Sequence, residues 1–595
     1  MISAVKPRLL VSPLWLIVLV YLALATGYSL TTPLLETPDE VAHYEYVREI
    51  AQQHALPAQT DPTSASWAQE NHQPPLYYVL AGAATIGIDA SNYSAMVRRN
   101  PYAAFEEQKP DNRNIFLHGR AEFFPWQGAA LSMHIARVVS VLLSALAVVG
   151  AYFLSRELFP ARLDVAIGSA AFVAFLPQFD FIAGAVSNDG TVTAMCALGL
   201  AALARVWHDA RAKQVVWLGG WLSLAALSKA SGMLLWGISA GVLGLEALWR
   251  RDMQRWRQLV LLAVVVLALT GWWFARNQIF YNDWLGVDTH LVVSGLREPG
   301  WGFGDFVDQW NEIEISFWGL FGAGNVPLPQ PIYDFLNLSA VVALLGVGVF
   351  AVRSGWRSRT TVTLLGLLLW VGVVLAFFYR WNTLVVAPHG RLLFPALSAI
   401  ALLWFVGLSW FVPRRWRIIY AWGWAAILFV LSAFALAQTV PAAYPLPAFV
   451  SESSLPRETL GAPVRFGDEL ELGAFELPDA ALRAGDRFDV VLYWLALDST
   501  MQTDYTVTLQ MFARDGQRIA QLDTFPVRGM YPTSQWQGNQ WLRDTYSISV
   551  ARDAPPGPAS LIVGLYDRTT NKALQVAQPD GRRAGRLTIA QLEIR

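Results

Sequence analysis

The chain has a single cysteine, Cys196, among its 595 residues. That excludes a disulfide framework and any zinc site built on several cysteines. Charge is scarce as well. Asp, Glu, Lys and Arg together make up 15% of the sequence, where a soluble domain carries about a quarter. The net charge of −1 lacks the basic excess that a nucleic-acid partner would require. No glycine-rich phosphate loop, nucleophile elbow or histidine-rich metal motif occurs, and no internal repeat or low-complexity segment. What abounds is apolar: 54% hydrophobic residues and 26 tryptophans. That balance belongs to a membrane protein.

A bilayer core of ~30 Å takes about 20 apolar residues per helix. Apolar runs lie near 9–31, 132–154, 163–186, 191–207, 214–228, 230–249, 258–275, 337–352, 361–379, 391–412 and 418–437, so about eleven spans are expected. The first run is too long for a signal-peptide core, which reads as an uncleaved span. Lys6 and Arg8 share one side with the short loops holding Arg156 and Arg162, Arg205 to Lys213, Arg250 to Arg257, Arg353 to Arg359 and Arg414 to Arg417. This sidedness requires 214–249 to be a pair of helices and places the N-terminus in the cytoplasm. Residues 32–131, 276–336, 380–390 and 438–595 then lie outside.

The expected fold is a polytopic α-helical membrane domain, 1–440, with large outer loops at 32–131 and 276–336. A Pro-rich linker, 441–462, leads to an extracytoplasmic β-sandwich, 463–595. Within the first loop, 38–53 carries helical spacing and 75–87 is apolar but too short to span; both read as helices lying on or dipping into the membrane surface. The tail alternates with period two over 486–494, 504–512, 517–525, 541–550 and 560–566, broken by Asp515-Gly516 and Pro555-Pro556-Gly557.

Candidate chemistry gathers on the outer side. Asp39 and Glu40 follow the first span and are candidate proton acceptors, although Thr37 to Glu40 also reads as a capping box with Pro38 at the first helical position. His43 is one turn further on. Asn71-His72-Gln73-Pro74-Pro75-Leu76-Tyr77-Tyr78 combines a helix start with interfacial aromatics. Asn188-Asp189 forms a turn between spans and puts a second acid at the same face. Lys229, Arg276, Arg380 and Arg391 stand at outer span ends, where cations are disfavoured. An anionic phosphate at the membrane surface would account for them. His389, beside Arg391, joins that set or ends a turn. Asp39, Asp189 and His43 are also a candidate site for a divalent cation, Mg or Mn.

In this order and on this common side, the motifs resemble the glycosyltransferase type C superfamily. The likeness is nearest to protein O-mannosyltransferases, aminoarabinose transferases and a related bacterial membrane family, and covers roughly residues 10–410. Pro38-Asp39-Glu40 with Ala42-His43 is similar to the first-loop acidic motif. Pro74 to Tyr78 is similar to the His-Pro-Pro-Leu segment, with Gln73 in the histidine's place. Asn188-Asp189, Ser228-Lys229, Gly271 to Asn277 and His389 to Pro395 follow. The resemblance implies a transferase that takes sugar from a polyprenyl-phosphate donor, with inversion. Asp39 would be the base, and Lys229, Arg276 and Arg391 would stabilise the leaving phosphate. His43, Tyr77, Asn188, Arg380 and His389 are candidate substrate-binding residues. A glycan, lipid or protein acceptor would complete the reaction. A flippase for an anionic lipid, or a scaffold presenting the sandwich, are the rival readings.

Overall fold

The computed structural model describes residues 12–58, 70–104, 112–209, 211–355, 358–456, 460, 462–478, 481–497, 501–577 and 582–595. Lys6, Arg8 and Arg357, used above for orientation, lie outside the described residues. The chain divides into two compact units, Met1–Ala90 with Gly128–Val440, and Ser91–Gln127 with Pro441–Arg595.

The first unit is helical. Among the described residues, nine helices are long and apolar enough to cross a membrane: Pro13–Thr31, Gly128–Leu158, Asp189–His208, Ala230–Arg250, Met253–Tyr281, Gln330–Ser354, Thr360–Asn382, Gly390–Trp410 and Arg414–Ala443. A tenth is the bent pair Leu163–Ala174 and Pro177–Ala183, broken by 57° where Pro177 starts the second half and cannot continue the first. The eleventh expected span is Ala212–Ser228. At 17 residues and ~1.5 Å per residue it is shorter than the ~30 Å hydrocarbon core. The 214–249 stretch is indeed two helices, separated by extended backbone at Lys229 and a 3-10 turn at Ala230–Met233.

Outward faces carry exposed Leu338, Val341, Leu344 and Leu345 on one helix and Val260, Val264 and Leu267 on another. Inward faces bury Tyr21, Tyr28, Trp273 and Trp370. Such helices, apolar all round, suit lipid outside and packed protein inside. The chain is a multi-pass membrane protein.

Two helices expected in the first loop are present as Glu40–Gln53 and Leu76–Thr85. They meet through Tyr46 and Tyr78, whose rings stack at 4.0 Å.

The second unit is a β-sandwich of two antiparallel sheets. One runs Arg583–Ala584, Val576–Ala577, Val464–Phe466, Leu470–Glu476, Arg487–Ala496, Trp541–Ser549 and Ala448–Val450. The other centres on Gly557–Asp567 between Tyr505–Ala513 and Leu587–Ile594. The strands expected from period-two alternation are all present. Two details differ from expectation. Ala448–Val450, inside the expected linker, pairs with Trp541–Ser549; its flanking prolines sit where a sheet edge tolerates them. Residues 91–127, expected with the helical domain, belong with the sheets. There Asn112 donates to Thr524 Oγ1 at 2.9 Å, Tyr102 meets Thr506 Oγ1 at 2.8 Å, and the His118 amide donates to the Gly529 carbonyl at 3.0 Å. These are tertiary polar contacts, which no local periodicity reports.

Candidate functional site

Asp39 and Glu40 are neighbours with opposite surroundings. Glu40 opens the helix Glu40–Gln53 and is fully buried. Arg137, from Gly128–Leu158, grips it with Nε at 2.7 Å and a terminal nitrogen at 2.6 Å. The Leu35 and Val186 amides donate to it at 2.9 Å each. Arg137 also donates to the carbonyls of Ser29 at 2.7 Å, Thr32 at 2.9 Å and Pro33 at 2.9 Å. Burial alone would raise the Glu40 carboxyl, but the Arg137 charge outweighs it and holds it below the usual range. The expected capping box does not form, because the helix starts one residue after Asp39 and Glu40 turns inward to Arg137. Glu40, expected among the catalytic acids, is instead a tether between the first loop and two spans.

Asp39 takes the cap position with a left-handed backbone, φ +62°. That conformation is costly for a side-chain-bearing residue and recurs at functional sites. Its carboxylate is 43% exposed and pairs with Arg391. The other terminal nitrogen of Arg391 donates to Asp189 at 2.9 Å, and Lys229 Nζ reaches the second Asp189 oxygen at 2.5 Å. Two acids and two cations thus form one chain, Asp39–Arg391–Asp189–Lys229, drawn from the first loop and three later segments. The Arg391 guanidinium beside it keeps the Asp39 carboxyl well below its ordinary range.

Local sequence explains the convergence. Asp189 begins its helix, where acids are favoured. Lys229 sits in the break between two helices. Arg391 lies in a 3-10 turn entering Leu397–Trp410, next to Gly390. A Cβ on Gly390 would lie 2.2 Å from the Ile313 carbonyl oxygen, so only glycine lets the turn approach that closely. The Gly390 amide is held by Ser316 Oγ at 2.8 Å.

The chain of charges faces a cavity of about 870 Å³, also lined by His43, Glu70, His72, Gln73, Lys229, His290, Arg380, Trp381 and His389. His43 Nδ1 contacts Tyr78 Oη at 2.8 Å. Burial lowers the imidazoles of His43 and His389 to about 4 each, so both are neutral at pH 7. Arg380 lines the cavity and donates to Thr383 Oγ1 at 2.6 Å.

Three expected site residues stand elsewhere. Arg276 donates to the Pro57 carbonyl and lies over the rings of Trp273, Phe280 and Tyr281, faces that hold an arginine by cation–π attraction. Tyr77 is buried against Ser140, at 2.8 Å, and the Ala136 carbonyl, at 3.2 Å. Asn188 donates to Gln73 Oε1 at 2.6 Å and to the Ser228 carbonyl at 3.2 Å; it braces the turn that carries Lys229. Among the described residues no group of three or more His, Cys, Asp or Glu is placed to hold a metal ion. Both Asp189 oxygens and one Asp39 oxygen pair with Lys229 and Arg391, and His43 Nδ1 contacts Tyr78, so two side-chain cations already supply positive charge where Mg or Mn was expected.

Sequence reasoning missed Glu70, Arg137 and His290. Arg137 interrupts an apolar run inside a span, which marks a paired charge. Glu70 and His290 have no such local mark.

Residues 123–274 match the family model of dolichyl-phosphate-mannose-protein mannosyltransferases. The match includes Asp189 and Lys229 but neither Asp39 nor Arg391. No curated protein matches the chain. Among solved structures, ArnT from Cupriavidus metallidurans in the apo state is similar at 18% identity, over 73% of this chain and 66% of that one, with a TM-score of 0.43. ArnT from the same organism bound to undecaprenyl phosphate is similar at 15% identity, over 72% and 73%, TM-score 0.41. Arabinosyltransferase EmbB from Mycobacterium smegmatis is similar at 10% identity, over 99% and 66%, TM-score 0.41. This chain therefore spans about two thirds of the length of the first of these, 66%. Over residues 123–274 the family match agrees with the likeness read from the motifs: that part of this multi-pass membrane protein resembles the dolichyl-phosphate-mannose-protein mannosyltransferases.

Proposed function

We propose that the protein is a glycosyltransferase that moves a sugar from a polyprenyl-phosphate donor to an acceptor at the outer face of a cell membrane. The observation that carries this reading is the Asp39–Arg391–Asp189–Lys229 chain on the wall of a cavity large enough for a sugar phosphate.

In the reaction the acceptor oxygen or nitrogen attacks the anomeric carbon. The bond from that carbon to the phosphate oxygen breaks, and its electron pair leaves with polyprenyl phosphate. The acceptor's proton passes to Asp39. A single displacement inverts the anomeric centre. The donor phosphate carries one negative charge as a diester and gains a second on leaving, so Arg391 and Lys229 stabilise charge that develops in the transition state. Arg391 is shared in advance. When its guanidinium turns to the phosphate, Asp39 loses its nearest cation and its affinity for a proton rises. Donor binding thereby prepares the base.

The outer placement rests on the arginine-rich short loops. A reporter fused after residue 440 is expected to report the outer compartment; a cytoplasmic readout would reverse the sidedness of the cavity. Transfer is tested by incubating the purified protein in nanodiscs with polyprenyl-phosphate mannose and other polyprenyl-phosphate sugars, with sugar release as the readout. Release by wild type and loss in Asp39→Asn are expected. Tight lipid-phosphate binding with no release from any donor would favour a carrier for an anionic lipid.

A further inference from the structure

The mechanism above leaves one buried acid of the cavity without a task. Glu70 is 6% exposed, lines the cavity, and among the described residues has no hydrogen-bond partner for Oε2. His43 Nδ1 lies 3.9 Å from it, and that nitrogen is already committed to Tyr78. Buried carboxyl oxygens are nearly always hydrogen-bonded, and an orphan calls for an explanation. An oxygen that opens on a cavity finds its partner in what enters the cavity.

Other groups in the same cavity point to the chemistry of that visitor. His72 Nε2 and His290 Nδ1 share a hydrogen bond of 2.7 Å, and His290 Nε2 meets Ser294 Oγ at 3.1 Å. The His290 ring lies 4.9 Å from that of Trp381. The Glu70 carboxyl offers directional hydrogen bonds, and the fixed imidazole pair and the indole set flat ring surfaces in the same cavity. That combination suits a ring with polar edges and C–H faces.

We infer that Glu70, with the His72–His290 pair and Trp381, forms a subsite for a hydroxylated ring beside the phosphate-binding charges, and that the Glu70 carboxyl hydrogen-bonds a hydroxyl of that ring. The inference rests on the transferase reading and adds where the ring sits. Burial, and next the charge of Asp39, push the Glu70 carboxyl up to about 8. At pH 7 it is a neutral acid that both donates and accepts, and it adds no negative charge against the phosphate. The ring is that of the donor sugar or that of a glycan acceptor, and the test separates them.

Wild type, Glu70→Ala and Glu70→Gln in nanodiscs are titrated with polyprenyl phosphate and with polyprenyl-phosphate mannose, and mannose transfer to an added oligosaccharide acceptor is followed at saturating donor. If the ring is the donor's, Glu70→Ala binds the mannose-bearing lipid more than tenfold more weakly and the bare lipid as wild type does. If it is the acceptor's, both lipids bind as in wild type but transfer falls more than tenfold. In either case Glu70→Gln, which keeps a donor and an acceptor, restores most of the loss. Neither variant lowers Tm, since Oε2 has no partner to lose; a structural residue would. Wild-type binding of both lipids and wild-type transfer in Glu70→Ala overturn the subsite alone, as does equal weakening of both lipids with a lowered Tm. A wild type that binds neither lipid overturns the transferase reading and the subsite with it.

Discussion

Two arginine–carboxylate assemblies begin at adjacent residues of one loop, and they differ in completeness. Around Glu40 and Arg137 both side chains are 0% exposed and four backbone groups of the first loop and span add to the grip. Around Asp39 and Arg391 the carboxylate is 43% exposed and, among the described residues, the buried Nε of Arg391 has no partner. A saturated pair has nothing left to offer a ligand, and disturbing it damages the fold. An unsaturated pair at a cavity wall can trade partners, which is what binding and catalysis require. Adjacent acids in a sequence therefore need not share a role.

The sharpest way to break this comparison is to remove one partner from each assembly. Arg137→Ala leaves Glu40 buried and uncompensated, at a cost of about 3–5 kcal/mol. The expected outcome is loss of folded protein by size-exclusion and thermal-unfolding measurements. Asp39→Asn removes an exposed charge, and the protein should fold and bind donor. Its transfer rate should fall by about 10²–10⁴, the usual worth of a general base. If Asp39→Asn transfers sugar at the wild-type rate, the contrast between the two acids collapses.

Removing the shared cation comes next in size. Arg391→Ala deprives Asp39 and Asp189 of their common partner and the proposed donor phosphate of one of its two cations. Truncating one side of a buried charge pair costs about 2–5 kcal/mol of binding, so polyprenyl-phosphate affinity should fall more than tenfold. Arg276→Ala serves as the control. Its guanidinium is spent on Pro57 and three aromatic rings, and donor affinity should change less than about threefold, within roughly 0.7 kcal/mol. A large loss of affinity in Arg276→Ala would return it to the site.

Those contrasts also mark what the sequence made legible. Span positions, the split at Lys229 and the alternating strands follow from hydropathy and periodicity, which are local. The convergence of Asp39, Asp189, Lys229 and Arg391 was readable from their common side. The division of labour was not. Thr37 to Glu40 has the spacing of a capping box, and only the arrival of Arg137 from a distant span turns Glu40 inward. Arg276 and Arg391 look alike at span ends; aromatic neighbours claim one and acids the other. Glu70 was invisible because burial, not sequence context, makes it unusual.

The finest comparison is between titrating groups in the same cavity, and it predicts the pH dependence of stability. His43, His290 and His389 are lowered to about 4 from an ordinary 6.5, in each case mainly by burial. Between those values the folded protein binds fewer protons than the unfolded chain, so these histidines make stability rise with pH up to about 6.5. Glu70 works the other way. Its carboxyl is raised from 4.5 to about 8, so the folded protein holds a proton that the unfolded chain has lost, and stability falls as pH rises through that span. Below 6.5 the two effects oppose each other; from 6.5 to 8 only that of Glu70 continues. The charged and titratable groups that act on it are Asp39, Asp189, Lys229, Arg391 and His43, and all remain in Glu70→Gln. The difference in Tm between wild type and Glu70→Gln, measured from pH 6.5 to 8, should therefore widen in favour of the variant as pH rises. The limit is ~1.4 kcal/mol per pH unit for one proton. Parallel Tm curves over that window would mean that Glu70 is ionised at neutral pH and that it meets the ligand as a carboxylate.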